Sequence, residues 1–146
     1  MKKGFSLVEL LVVISVIGIL ASLVLVAFGP AQKQAKDTQR KSDLKQYQTA
    51  LEVFANSHDG LYPSRTTAVN PSSLCLTLGI TGECPDDPKP AVYSYSYLSN
   101  GTAGLSDASD FILWSVSEKS GGYWVVCSSG KSGAVDEVPS EAICPI

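Results

Sequence analysis

Residues 10–28 form a run of nineteen positions without a charge. A helix rises about 1.5 Å per residue, so such a run reaches across the ~30 Å hydrocarbon core of a bilayer. Beyond Pro30 the apolar residues thin into a stripe. Ala31, Ala35, Leu44, Tyr47, Leu51 and Phe54 recur at spacings of three or four, with gaps at a basic turn. That period predicts an amphipathic helix whose buried face strengthens toward Phe54. Asn56, His58, Gly60 and Pro63 then supply stop signals. One helix is expected over residues 6–57, roughly 75 Å long, and its second half needs a sheet to cover it. Gly18 and Pro30 mark places where this helix can unwind locally, because Gly disfavours helix by about 1 kcal/mol relative to Ala and Pro withholds an N–H; Gly18 equally permits close helix packing.

Further along, the period shifts to two. Residues 92–98, VYSYSYL, alternate strictly, with Tyr93, Tyr95 and Tyr97 on one face and Val92, Ser94, Ser96 and Leu98 on the other. Residues 111–116 and 123–127 are two more β-rich runs, joined by a turn-rich connection over residues 117–122. A fourth short strand is expected near residues 135–138. The fold class is α+β: a long N-terminal helix, apolar in its membrane-spanning first half, packed by its second half on a small antiparallel sheet of three to four strands. The tyrosines read as sheet packing rather than as a ligand platform.

Charge divides the chain further. The formal net charge is -3. Residues 33–45 hold five bases, Lys33, Lys36, Arg40, Lys41 and Lys45, against Asp37 and Asp43. From Leu51 onward four bases face eleven acids, about -7, which excludes the head as a general nucleic-acid binder. The basic neck reads as a solvated or acid-paired face. All four cysteines follow residue 74, and an export-directed N-terminal segment implies an oxidising compartment and two disulfides. Three connectivities are open. Nearest neighbours, Cys75 with Cys84 and Cys127 with Cys144, are favoured because each pair closes a local loop rich in Gly, Pro and Ser, and the longer loop stabilises by roughly 3 kcal/mol.

An ordinary signal peptide shares the apolar profile but needs a small-x-small cleavage site after it, and Ala27-Phe28-Gly29 is a weak version of one. Glu9 sets the segment apart. A carboxylate one turn into an apolar helix costs about 2.5–3.5 kcal/mol on insertion scales unless something compensates it. Lys2, Lys3, Gly4, Phe5 and Glu9 together resemble the processing site of type IV prepilins: a basic leader, Gly before the cut, Phe after it and Glu as fifth mature residue. The resemblance to type IV pilins and type II secretion pseudopilins covers residues 1–29 closely and the helix to Ser57 more loosely. It implies that a prepilin peptidase cuts between Gly4 and Phe5 and that Phe5 is N-methylated. Gly4 suits close approach to the backbone. Glu9 of one subunit then meets the new ammonium at Phe5 of a neighbour, which offsets its desolvation and sets the axial register of assembly. The organisation implied is a leader over 1–4, a membrane and filament-core helix over 5–29, an amphipathic helix over 30–57 and a globular head over 58–146. Lys2 and Lys3 stay on the cytoplasmic side. The precursor is expected as a single-pass inner-membrane protein that passes into an extracellular or periplasmic filament. Its expected partners are other copies of itself, other pilins, the prepilin peptidase and the inner-membrane assembly platform.

The connection over residues 61–91, with Tyr62-Pro63 and Asp87-Pro88, is similar to the loop between helix and sheet in pilins and major pseudopilins. Lys89-Pro90 stands where major pseudopilins carry tryptophan-glycine. The Cys127 to Cys144 region is similar to the disulfide loop of pilins. Catalytic residues are not expected: His58 is the only histidine, placed to cap or face solvent at a helix end, and neither a phosphate-binding Gly-rich loop nor HExxH occurs. No cofactor is expected, although Asp107 with Asp110, or Asp136 with Glu137, are candidate calcium ligands of the kind major pseudopilins possess. Three functions compete: a pilus subunit, a secretion pseudopilin, and a membrane-anchored binding module.

Overall fold

The computed structural model describes residues 6–146. Helix α1, Leu7–Asn56, is 50 residues long, with Ser6 as its N-cap and Ser57 as its C-cap. It runs unbroken through Gly18 and Pro30, so the local unwinding expected there does not occur in the single chain. The penalties at those two positions amount to a few kcal/mol, and long flanking helix on both sides propagates through them.

After a 3-10 turn at Pro71–Leu74 come β1, Ser96–Ser99; β2, Phe111–Val116; β3, Tyr123–Cys127; and β4, Ser132–Val135. They form one antiparallel meander in the order β1-β2-β3-β4. Leu98 stands opposite Ile112, Trp114 opposite Val125, and Tyr123 opposite Val135. Alternation along the strands divides two apolar clusters between the faces of the sheet. On the helix side Tyr95, Tyr97, Phe111, Leu113 and Val126 pack with Leu44, Tyr47, Leu51 and Phe54 of α1, closed at one side by Leu74 and Leu78. On the far side Leu98, Ile112, Trp114, Val125 and Cys127 form the second cluster, against which Cys144 packs. The segment after β4 is fastened there by the Cys127–Cys144 disulfide and rests Ile146 on Gly133.

β2 and β3 lie where the sequence sets them. β1 is shorter than the expected 92–98: the N–H groups of Val92 and Tyr93 both donate to the Lys89 carbonyl, a turn that withholds them from the ladder. Tyr95 and Tyr97 are buried beneath the helix as alternation requires, whereas Val92 is 68% exposed. β4 comes three residues earlier than expected, because Val135 already pairs with the first residue of β3 and nothing remains for residues 136–138 to pair with. Ala31 and Ala35, expected on the buried stripe, are exposed. In their place the head-facing side of α1 buries Asp37, Arg40 and Asp43 above Leu44.

Candidate functional site

The N-terminal half of α1 is covered by no other part of the described chain. Leu7 is 85% and Val26 81% exposed. Its polar side chains are satisfied locally, as a bilayer demands: Ser15 Oγ donates to the Leu11 carbonyl and Ser22 Oγ to the Ile19 carbonyl at 2.7 Å. Helix length and apolarity suffice for a membrane crossing over this half. Gly4 and Phe5, and the cleavage assigned between them, lie outside the described residues, as do Lys2 and Lys3.

Glu9 has a local partner. Its Oε2 accepts the Ser6 backbone N–H at 3.0 Å while Ser6 Oγ accepts from Val8 N at 3.4 Å, a capping box at the start of α1. The carboxylate is thus held at the positive end of the helix dipole, which offsets part of its desolvation without any second subunit. This use of Glu9 is additional to the intersubunit role expected of it, and the S-x-x-E spacing over Ser6 to Glu9 is the signal that carries it.

Below the apolar half, Arg40 is 1% exposed and bound by three carboxylates. Its Nε and Nη2 donate to both oxygens of Asp87 at 2.7 and 2.9 Å, Nη1 donates to Asp37 at 2.9 Å, and Nη2 also reaches Glu118 at 2.7 Å. Lys89 Nζ takes the other oxygen of Glu118 at 2.5 Å. Asp37 in turn accepts the backbone N–H groups of Glu118 and Lys119, both at 2.9 Å, and Ser117 Oγ at 3.0 Å. The helix, the Asp87 turn and the β2–β3 turn are therefore fastened at one point. Burial pushes the Asp37 carboxyl up, but the Glu118 and Lys119 amides outweigh it and hold the group below its usual range. The Lys89 bond, with Arg40 beside it, keeps Glu118 low despite burial. Burial opposes the charge on Arg40, yet the bonds to Asp87 and Glu118 raise its pKa. Asp43 goes the other way: burial raises it, and the Tyr95 hydroxyl, donating at 2.6 Å, only partly opposes that. Tyr47 donates to the Pro85 carbonyl at 2.6 Å, and burial moves its pKa up to about 12.

The neck is thus acid-paired at Arg40, while Lys33, Lys41 and Lys45 are exposed. Both nearest-neighbour disulfides are formed, Cys75–Cys84 and Cys127–Cys144, with Cα separations of 6.3 and 5.7 Å. His58 ends the helix: its Nδ1 lies 2.9 Å from the Phe54 carbonyl and its ring stacks on Phe54. The calcium candidates are dispersed. Asp107 accepts Thr102 N within the β1–β2 loop and Ser64 Oγ from the segment after α1, and Asp110 accepts Ser109 Oγ. Asp136 and Glu137 line an open recess of the C-terminal segment. Among the described residues no three His, Cys, Asp or Glu side chains gather as a metal-holding group.

Comparison with known proteins adds an independent line. The model of the prokaryotic N-terminal methylation motif matches residues 1–25. The chain is 37% identical over 58 residues to the type IV major pilin protein PilA of Myxococcus xanthus, covering 40% of this chain and 26% of that protein. It is 32% identical over 118 residues to the type II secretion system core protein G of Pseudomonas aeruginosa, covering 73% of this chain and 80% of that protein. It is also 32% identical over 88 residues to the prepilin peptidase-dependent protein D of Escherichia coli, covering 54% of this chain and 60% of that one. The chain thus spans about a quarter of the Myxococcus pilin and four fifths of the Pseudomonas protein. No solved structure matches it. A processing motif at the N-terminus, a bare apolar half-helix and a small disulfide-stapled α+β head agree with that similarity over most of the chain: the protein belongs to the family of type IV pilins and type II secretion pseudopilins.

Proposed function

We propose that this chain is the structural subunit of a type IV pilus or pilus-like filament. A prepilin peptidase removes the leader 1–4 by cutting between Gly4 and Phe5, and Phe5 is N-methylated. The helix over 5–29 holds the precursor in the inner membrane and then enters the filament core, while the helix over 30–57 carries the head, 58–146, to the outside. The observation that supports this most is the apolar half of α1, exposed at each residue whose side chain is described and bearing one acid in its first turn. So much apolar surface needs lipid or further copies of itself to cover it. Glu9 commits Oε2 to Ser6, and among the described residues Oε1 accepts no hydrogen bond, which leaves it for the ammonium that cleavage frees on an adjoining copy.

A second reading, a pseudopilin of a type II secretion system, is supported by the extent of the match to protein G, which at 73% of this chain reaches into the head. The Cys127–Cys144 loop supports the pilus reading through its likeness to the pilin disulfide region. Electron microscopy of sheared surface fractions, with the mass of the mature N-terminus, tests both. Surface fibres containing a chain that begins at methylated Phe5 are expected. A methylated Phe5 without surface fibres selects the pseudopilus, and retention of Met1 or cleavage after Ala27 overturns both in favour of an anchored binding module.

A further inference from the structure

The charges next to the apolar run are not evenly placed. Lys33 continues the head-facing side of α1, and with Lys119 of the β2–β3 turn it lines a recess that includes Gly29 and Pro30. Lys119 Nζ donates to Gln34 at 2.6 Å, a neutral partner, so its charge is not cancelled. Lys36 stands one turn along from Lys33, beside Lys89. Among the described residues the ion pairs are those of Arg40 and Lys89, and none involves Lys33, Lys36 or Lys119. The Arg40 network has three carboxylates against two cations, and these three lysines outnumber its residual negative charge.

Depth follows from the helix. Lys33 lies five residues beyond Phe28, about 7.5 Å along the axis, Gln34, which fixes Lys119, about 9 Å, and Lys36 about 12 Å. Those heights fall within reach of a headgroup layer some 5–7 Å thick, because lysine stems snorkel back toward it. We propose that Lys33, Lys36 and Lys119 form a cationic collar on the membrane-facing end of the head that binds anionic phospholipid headgroups of the leaflet on the head's side. The collar holds the head against the membrane while the precursor waits there. This inference rests on the membrane-anchored reading above.

The test uses the full chain in nanodiscs of phosphatidylcholine with about one third phosphatidylglycerol. Native mass spectrometry then counts the lipids retained per chain. The retained ratio of phosphatidylglycerol to phosphatidylcholine should exceed the bulk ratio, and this lipid-exchange ratio should fall about five-fold for each lysine removed among Lys33→Gln, Lys36→Gln and Lys119→Gln. Lys131→Gln, beside the C-terminus at Ile146, should change nothing. Lys33, Lys119 and Lys131 are exposed and Lys36 is half-buried, and near-ultraviolet circular dichroism of each variant checks that the head is folded. Absence of enrichment, or an equal effect from Lys131→Gln, overturns the collar. A triple variant that keeps its lipids but loses cross-linking between copies assigns these lysines to a second subunit and equally overturns it. Release of the wild-type chain from membranes by alkaline carbonate is a different result: it removes the membrane-anchored reading itself.

Discussion

Arg40→Met is the most informative substitution in the head. Methionine keeps the length of the apolar stem and removes all four charge-assisted bonds of the guanidinium. The three carboxylates are not stranded equally. Asp37 retains two backbone amides and Ser117, and Glu118 retains Lys89, but Asp87, whose side chain is 0% exposed, keeps only the Lys89 backbone N–H, on Oδ1. A buried ion pair broken from one side destabilises by about 3–5 kcal/mol, because an uncompensated charge is left behind. Set against a typical stability of about 5–15 kcal/mol, that is a large fraction of the whole. Urea unfolding of the purified full chain in detergent, followed by near-ultraviolet circular dichroism, should show the midpoint falling with little change in slope. Asp87→Asn added to Arg40→Met should recover part of the loss, since it removes the stranded charge, and the double-mutant cycle reports the coupling. A loss under about 1 kcal/mol for Arg40→Met, the range of exposed ion pairs, refutes the view that this network fastens the head to the helix.

Two further outcomes follow from the same geometry. Asp37 and Glu118 lie below their ordinary values of 3.8 and 4.5, so each stabilises the fold above those values, and that contribution disappears as pH falls through the lowered folded pKa. Asp43 is raised, so its contribution is complete below 3.8 and is lost as pH rises through its folded value; Asp43→Asn should remove that opposing limb and leave the acid loss steeper, and a stability flat from about pH 2 to 5 contradicts the assignment. Replacing Cys127 and Cys144 together by Ser opens a loop with sequence separation 17 and should lower stability by roughly 3 kcal/mol; release of the segment covering the far face should also red-shift Trp114 emission, and unchanged emission means the segment is held by packing alone.

Much of the fold is legible in local pattern. The span of α1 follows from its apolar run, its 3.6-residue stripe and its stop signals, and β2 and β3 from β-rich runs joined by turn residues. The errors arise where partners decide. The alternation over 92–98 is real, and it puts Tyr95 and Tyr97 on the helix side, but pairing starts only after the turn at Lys89 has ended. Likewise β4 stops where β3 has no more residues to offer. The site was half visible. The basic neck and its acids at Asp37 and Asp43 could be read from helical spacing, whereas Asp87 and Glu118 lie 47 and 78 positions from Arg40 and meet it only in the fold. Ala31 and Ala35 continue the stripe in sequence, yet the backbone of the β2–β3 turn meets the helix at Asp37, and the turn extends beyond that level through the Lys119 side chain at Gln34, which leaves both alanines exposed. The capping box at Ser6 was written in the sequence as S-x-x-E and was obscured by the larger question of why an acid stands in an apolar helix.

That question is also the most direct place to test the whole account. A Glu9→Val chain, expressed in cells whose wild-type protein yields fibres, should be processed at Gly4 and retained in the membrane, while sheared fractions contain no filaments. Normal filaments in normal amount from that chain would contradict the proposal that Glu9 answers the freed N-terminus of an adjoining subunit.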